Sequence, residues 1–269
     1  MDEDYPGRLL DLKRSPEHIW CRGRWPLPEK RGIAVVGSRS ARRESMEFAY
    51  QLAEAVAARG ELVFSGGAVG VDTAAHLGAL AAMGYTCAVL PGSLIQPYPA
   101  RNRRLFQRII KKGGTLISAA PFSPPRASRF VRRNSYLAAL AELVVVIDAG
   151  PKSGAWSTAR AAMKLARKVF VFGCTQIPED IRSRALEVDS LQGLIDLIDG
   201  KAKAKTVSEL SEMDSSVLVV ISREGSADAE TVAMTLNINQ RSATRSLIHL
   251  ELSGFASGQP GERYIPLLR

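Results

Sequence analysis

Six short runs, apolar at nearly every position, constrain this chain more than any other feature. They occupy residues 31–37, 62–65, 86–90, 115–118, 143–147 and 169–172. A strand wetted on one face alternates polar and apolar residues, whereas a strand that is apolar throughout is covered on both faces. The stretches between the runs have helical period: residues 44–58 place Phe48, Leu52, Ala55 and Val56 on roughly one face. Further helices are expected over 72–83, 102–112, 132–141, 156–166 and 190–199. Such alternation predicts an α/β fold, a parallel sheet with helices on both faces. Ligands of these sheets collect at the carboxyl ends of the strands. The glycine-bearing loops of this region all fall at such ends.

The most informative loop is Gly66-Gly67-Ala68-Val69-Gly70-Val71-Asp72, between a strand and a helix for which Asp72 is the expected N-cap. Glycines let a ligand approach the backbone, and the helix start offers free N–H groups to an anion. The loop suits a phosphate, or is simply a tight turn. It is not a P-loop, since no Lys-Ser or Lys-Thr follows the glycines. Gly37-Ser38-Arg39, after the first strand, lacks the later glycines of the dinucleotide fingerprint, yet Arg39 offers a forked donor to phosphate or to a surface carboxylate. Lys152-Ser153-Gly154 repeats the form after the fifth strand. Arg132-Arg133-Asn134 is expected to begin a helix, where cations oppose the dipole unless an anion lies nearby. Asn134 suits a phosphate, a base edge or a helix cap.

Charge narrows the partner. The chain of 269 residues carries a net +9. From Arg101 to Ser135 there are ten basic residues (Arg101, Arg103, Arg104, Arg108, Lys111, Lys112, Arg126, Arg129, Arg132 and Arg133) and no Asp or Glu. Such a run is either a solvated surface or the footprint of a polyanion, with nucleic acid the leading candidate. No apolar run is long enough to span a membrane. The acidic, polar start is unlike a secretory signal, so a cytoplasmic location is expected. Cys21, Cys87 and Cys174 lack metal spacing and suit buried, reduced thiols.

Residues 1–30 read as a lead-in packed on the main domain, residues 31–199 as that domain, and 200–206 as a linker. In 207–269, helices are expected over 209–221, 228–236 and 240–252, the last two joined at helix-turn-helix spacing by Asn237-Ile238-Asn239. A hairpin across Gly258-Gln259-Pro260-Gly261 would complete a winged helix. From Thr206 onward five arginines stand against eight carboxylates, a net −3, so residues 1–205 carry +12. A winged helix that grips duplex DNA is normally basic, which shifts the expected nucleic-acid surface to the first domain. No catalytic constellation is legible: His18, His76 and His249 are far apart, His76 lies in an apolar helix, and Asp148 has no evident acid or histidine partner. Neither a cofactor nor a metal is expected.

Taken together, Tyr5-Pro6, Arg22-Gly23, the run 34–39, the run 65–72, Ala75-His76, Tyr98-Pro99, Asn102, Arg132-Arg133-Asn134, Lys152-Ser153-Gly154 and Thr158-Ala159-Arg160 resemble the DNA-processing protein A (DprA, or Smf) family. The resemblance covers nearly the whole chain. It implies a non-enzymatic protein with an extended Rossmann-like domain and a small C-terminal winged helix. Such a protein binds and protects single-stranded DNA, forms a homodimer through the Rossmann-like domain and loads the RecA recombinase in natural transformation. Carried over by position, it implies DNA contacts at Gly37, Ser38, Arg39, Ser65, Gly66, Gly67, Arg132, Arg133, Asn134, Lys152, Ser153 and Gly154, to which the basic run adds Arg129. Two departures stand out: Val69 replaces an arginine common in the glycine loop, and the N-terminal helical domain of longer members is missing. Two other readings remain: an enzyme acting on nucleotides or nucleoside phosphates, and a winged-helix regulator of duplex DNA.

Overall fold

The computed structural model describes residues 4–201, 212–252 and 255–267. The chain divides into two compact units, Met1–Ala202 and Lys203–Arg269. The first contains a 3-10 turn (Gly7–Asp11), β1 (Trp20–Gly23), β2 (Gly32–Gly37), α1 (Arg43–Ala58), β3 (Leu62–Ser65), α2 (Val71–Ala81) and β4 (Thr86–Val89). There follow α3 (Arg103–Lys111), β5 (Thr115–Ser118), α4 (Ala127–Leu140), β6 (Leu143–Ile147), α5 (Ala155–Lys164), β7 (Lys168–Phe172), α6 (Glu179–Arg182), β8 (Leu186–Glu187) and α7 (Leu191–Ile198). The strands form one sheet in the order β1-β5-β4-β3-β2-β6-β7-β8. All neighbours are parallel except β1 and β5, which run antiparallel with Trp20 opposite Ser118.

Alternate side chains of a strand point to opposite faces. On β2, Ala34 and Val36 enter a core with α4 and α5 (Leu137, Trp156, Ala159), while Ile33 and Val35 meet α1 and α2 (Leu52, Val56, Ala75). Helix α3 covers the same face as α2, through Phe106 and Ile109 over Ala88 and Leu116. Each large side chain so buried contributes about 1.5–3 kcal/mol. The six apolar runs thus form the parallel sheet covered on both faces that they predicted, in the Rossmann-like arrangement that the resemblance implied.

The structure corrects several local expectations. Two further strands extend the sheet, one of them from the lead-in. Strand β1 is exposed at all four positions, so no apolar pattern marked it; it forms the edge of the sheet and pairs through its backbone with β5. Helix α2 is capped at Gly70, and Asp72 lies inside its first turn. Helix α4 starts at Ala127, five residues before Arg132, so Arg132, Arg133 and Asn134 sit in its middle and the expected clash with the helix dipole does not arise. Cys87 and Cys174 are buried, but Cys21 on β1 is exposed.

His76 packs inside α2 as expected, at 0% exposure. The Thr86 hydroxyl donates to Val63 O (2.9 Å), so it accepts from His76 Nδ1 at 2.8 Å. Nδ1 therefore carries a proton. Burial, aided by the charge of Arg133, pulls the pKa of the ring down to about 3.

The second unit holds α8 (Glu212–Glu224), α9 (Ala229–Leu236), α10 (Gln240–Leu252), β9 (Ala256–Gln259) and β10 (Arg263–Pro266). Strands β9 and β10 form an antiparallel hairpin, and Ala227, ahead of α9, bridges to Tyr264 of β10. Asp228 caps α9 by accepting from Thr231 N at 2.8 Å, and Asn237 ends it in the left-handed region. Val217, Ile221, Val232, Leu247, Leu250 and Phe255 form a separate core. Residues 202–206 of the expected linker and 209–211 of the expected helix lie outside the described residues.

Candidate nucleic-acid interface

Strands β2 and β6 lie side by side, with β3, β4 and β5 stepping away on one side and β7 and β8 on the other. The direction of winding reverses between them, and their carboxyl ends flank the crevice where such sheets take ligands. The loop Gly37-Ser38-Arg39 is fixed here because Ser38 N donates to Ile147 O at 3.1 Å. Ser38 O in turn accepts from Val71 N at 3.1 Å, docking the start of α2 on that loop. The approach requires Gly70: its φ is +81°, and a Cβ there would lie 2.3 Å from Ser38 O. Two loops separated by some thirty residues thus form one surface.

The glycine loop is held from beneath. Asp72 accepts from Ala68 N at 3.1 Å, and Asn102 donates to Gly67 O (2.9 Å) and Ala68 O (3.0 Å). The Thr73 hydroxyl donates to Ala68 O at 2.8 Å. Burial pushes the Asp72 carboxyl up, opposed by the charge of Arg133 and by the N–H groups of Ala68 and Gly66. Arg133, only 7% exposed, lays its guanidinium against Gly66 and donates from Nη1 to Val89 O at 3.0 Å. Burial lowers its pKa and the charge of Asp72 opposes that shift. The next residue, Asn134, donates to Gly154 O at 3.2 Å and to the Ser157 hydroxyl at 2.6 Å. Consecutive side chains of α4 therefore reach both sides of the crevice: Arg133 bonds the end of β4 and packs against Gly66, and Asn134 bonds the Lys152–Gly154 loop.

The expected site residues separate into two groups. Arg39, Arg132 and Lys152 are exposed, and Ser38, Arg129 and Ser153 are half-buried. Ser65, Arg133 and Asn134 are buried and committed to the protein; the Ser65 hydroxyl donates to Val35 O at 2.6 Å. Gly37, Gly66, Gly67 and Gly154 supply backbone. Two aromatic residues that the sequence reading did not place in the site join it. Arg39 lies 5.6 Å over the Phe130 ring, and Phe130 meets Tyr98 edge-on at 5.9 Å. A small cavity of about 40 Å³ between Arg39, Gly66, Tyr98 and Phe130 connects them to the glycine loop. The signal for Phe130 was an aromatic embedded in a basic run.

Among the described residues, none of the ten basic side chains between Arg101 and Ser135 makes an ion pair. Asp148, in contrast, accepts from Arg42 N at 2.7 Å and pairs with that guanidinium at 3.4 Å, so it anchors the start of α1. Among the described residues no cluster of His, Cys, Asp or Glu could hold a metal. No helix among them is long and apolar enough to cross a membrane.

A family model described as DNA recombination-mediator protein A matches residues 1–217. The chain is 33% identical over 271 residues to a putative DNA processing protein DprA of Mycobacterium tuberculosis, covering 94% of this chain and 70% of that protein. It is 33% identical over 171 residues to DNA processing protein DprA of Streptococcus pneumoniae, covering 63% and 60%. Among solved structures, DNA processing protein A of Helicobacter pylori, described for its single-stranded DNA binding mode, superposes with a TM-score of 0.65. It is 28% identical, covering 74% of this chain and 94% of that one. The Streptococcus pneumoniae protein superposes with a TM-score of 0.60 at 29% identity, covering 78% and 72%.

Proposed function

Since this chain belongs to the DNA recombination-mediator protein A family, we propose that it binds single-stranded DNA along the carboxyl edge of its sheet and acts in recombination without catalysing a reaction. The observation that carries this reading is the holding of two phosphate-type loops at one sheet edge, the glycine loop by Asp72 and Asn102 and the Lys152–Gly154 loop by Asn134. It presents Ser38, Arg39, Lys152 and Ser153 beside a basic run with no ion pairs among the described residues. Backbone N–H groups and cations select phosphate oxygens, which every sequence shares, so binding tolerates any base order. Loading of RecA, dimerisation through the Rossmann-like domain and a cytoplasmic location belong to the same proposal, supported by family membership. The second unit is proposed to be a winged helix, a reading favoured by its helix order, its hairpin and the bridge from Ala227 to Tyr264. The net −3 of residues 206–269 favours a role other than gripping duplex DNA.

Fluorescence anisotropy of labelled oligo-dT and of a matched duplex, at two salt concentrations, tests the proposal. The single strand is expected to bind more tightly, with log K falling by ~0.7 per log unit of salt for each phosphate neutralised. Replacing Arg39 and Lys152 together by Ala, both exposed and free of loop-holding bonds, should weaken binding at least tenfold and flatten that slope. Equal affinity for duplex and single strand, or an unaltered slope in the double variant, would refute it.

A further inference from the structure

A larger cavity, about 360 Å³, lies next to the glycine loop and shares Pro91 and Arg133 with the small cavity beneath Arg39. One wall comes from the lead-in, with His18 and Trp20; the opposite wall is α4, with Arg129 and Arg132; the strand ends of β4 and β5 close the floor. Its volume is at the low end of small-ligand sites (~300–1,000 Å³), enough for one nucleotide and too little for a stretch of strand. Trp20 is 40% exposed, a large apolar surface for a side chain whose backbone is locked opposite Ser118. His18 holds the indole edge-on at 5.6 Å, so the ring is oriented before anything binds. Arg133 adds a buried Nε that finds no hydrogen-bond partner within the protein, a state that buried donors seldom keep. Glu17, on the same rim, is the one carboxylate of the lining.

We infer that this cavity takes one unstacked nucleobase of the bound strand, which lies on the Trp20 indole while its phosphate meets Arg129 and Arg132. A free phosphate has no use for the aromatic wall, and a purely apolar ligand has none for the arginines. A nucleotide uses both, since every base offers a π-face whatever its identity. The lead-in thereby becomes part of the DNA site. This inference rests on the single-stranded-DNA reading of the adjoining loops.

The test uses the full chain, labelled oligo-dT and intrinsic tryptophan emission. Oligo-dT should quench the wild-type emission. Trp20→Leu should remove most of that quenching and weaken binding about tenfold, leaving the salt slope unchanged because no phosphate contact is lost. Trp20→Phe should restore affinity to within a few fold. If the wild type binds oligo-dT but Trp20→Leu matches it in affinity, the base site is overturned while the single-strand reading stands. A loss that Phe does not restore, or one that also changes the salt slope, likewise overturns stacking at Trp20. If the wild type does not bind oligo-dT, both fall together.

Discussion

His76 is fully enclosed; its ring hydrogen bond to Thr86 places a proton on Nδ1, and burial disfavours a second one. Its folded pKa of about 3 lies below the ordinary 6.5. Between those values the unfolded chain binds a proton that the folded chain refuses. The stability this residue allows is complete above pH 6.5 and declines as the pH falls, by up to about 1.4 kcal/mol per unit. Urea unfolding at several pH values should show that decline in the wild type and a shallower one in His76→Gln. Asp72, whose raised carboxyl acts in the opposite sense above its ordinary 3.8, is common to both proteins and cancels in the comparison. Parallel curves for the two proteins would mean that His76 is not the titrating group. Its burial was legible from the apolar helix around it. The role of Asp72 was not, because its loop contacts depend on where α2 begins.

The glycine loop and α4 act as a unit. A Cβ at Gly66 would sit 1.6 Å from Arg133 Nη1, so Gly66→Ala must displace a buried guanidinium from Val89 O. That leaves a buried group without its partner, a cost of about 1–3 kcal/mol. In an Arg133→Leu background the conflict disappears, and the same Gly66→Ala change should cost much less. Equal penalties in the two backgrounds, measured by urea unfolding, would show that the guanidinium does not set the requirement for glycine. The sequence singled out Arg133 and Asn134, and the structure sets them beside Gly66 and Gly154, in a part of the helix other than the one expected. A helix start at Arg132 made the charge of Arg132 and Arg133 look unexplained, whereas mid-helix positions on α4 let Arg133 pack against Gly66 and bond Val89 O while Asn134 bonds Gly154 O. The Pro-rich stretch before them hid the true start.

At the scale of the whole molecule, two compact units carry two separate cores and opposite charge. The acid-free basic run and all the loops discussed lie in the first unit. Residues 1–202 alone should therefore keep oligo-dT affinity within about threefold and retain the full salt slope. A tenfold loss in the anisotropy assay would bring the second unit into the interface.

By itself the sequence determined the sheet, because strands apolar at every position can only be buried on both faces. It also determined the basic character of one region and the family, through motifs in a fixed order. Tertiary structure decided which of those residues face solvent. Ser65, Arg133 and Asn134 share motifs with Arg39 and Lys152, yet burial commits the first three to backbone and side-chain partners that are remote in sequence. It also brought Trp20, Tyr98 and Phe130 to the rim. No local pattern marks an exposed edge strand that joins the sheet through a ladder of backbone hydrogen bonds to a strand nearly a hundred residues away.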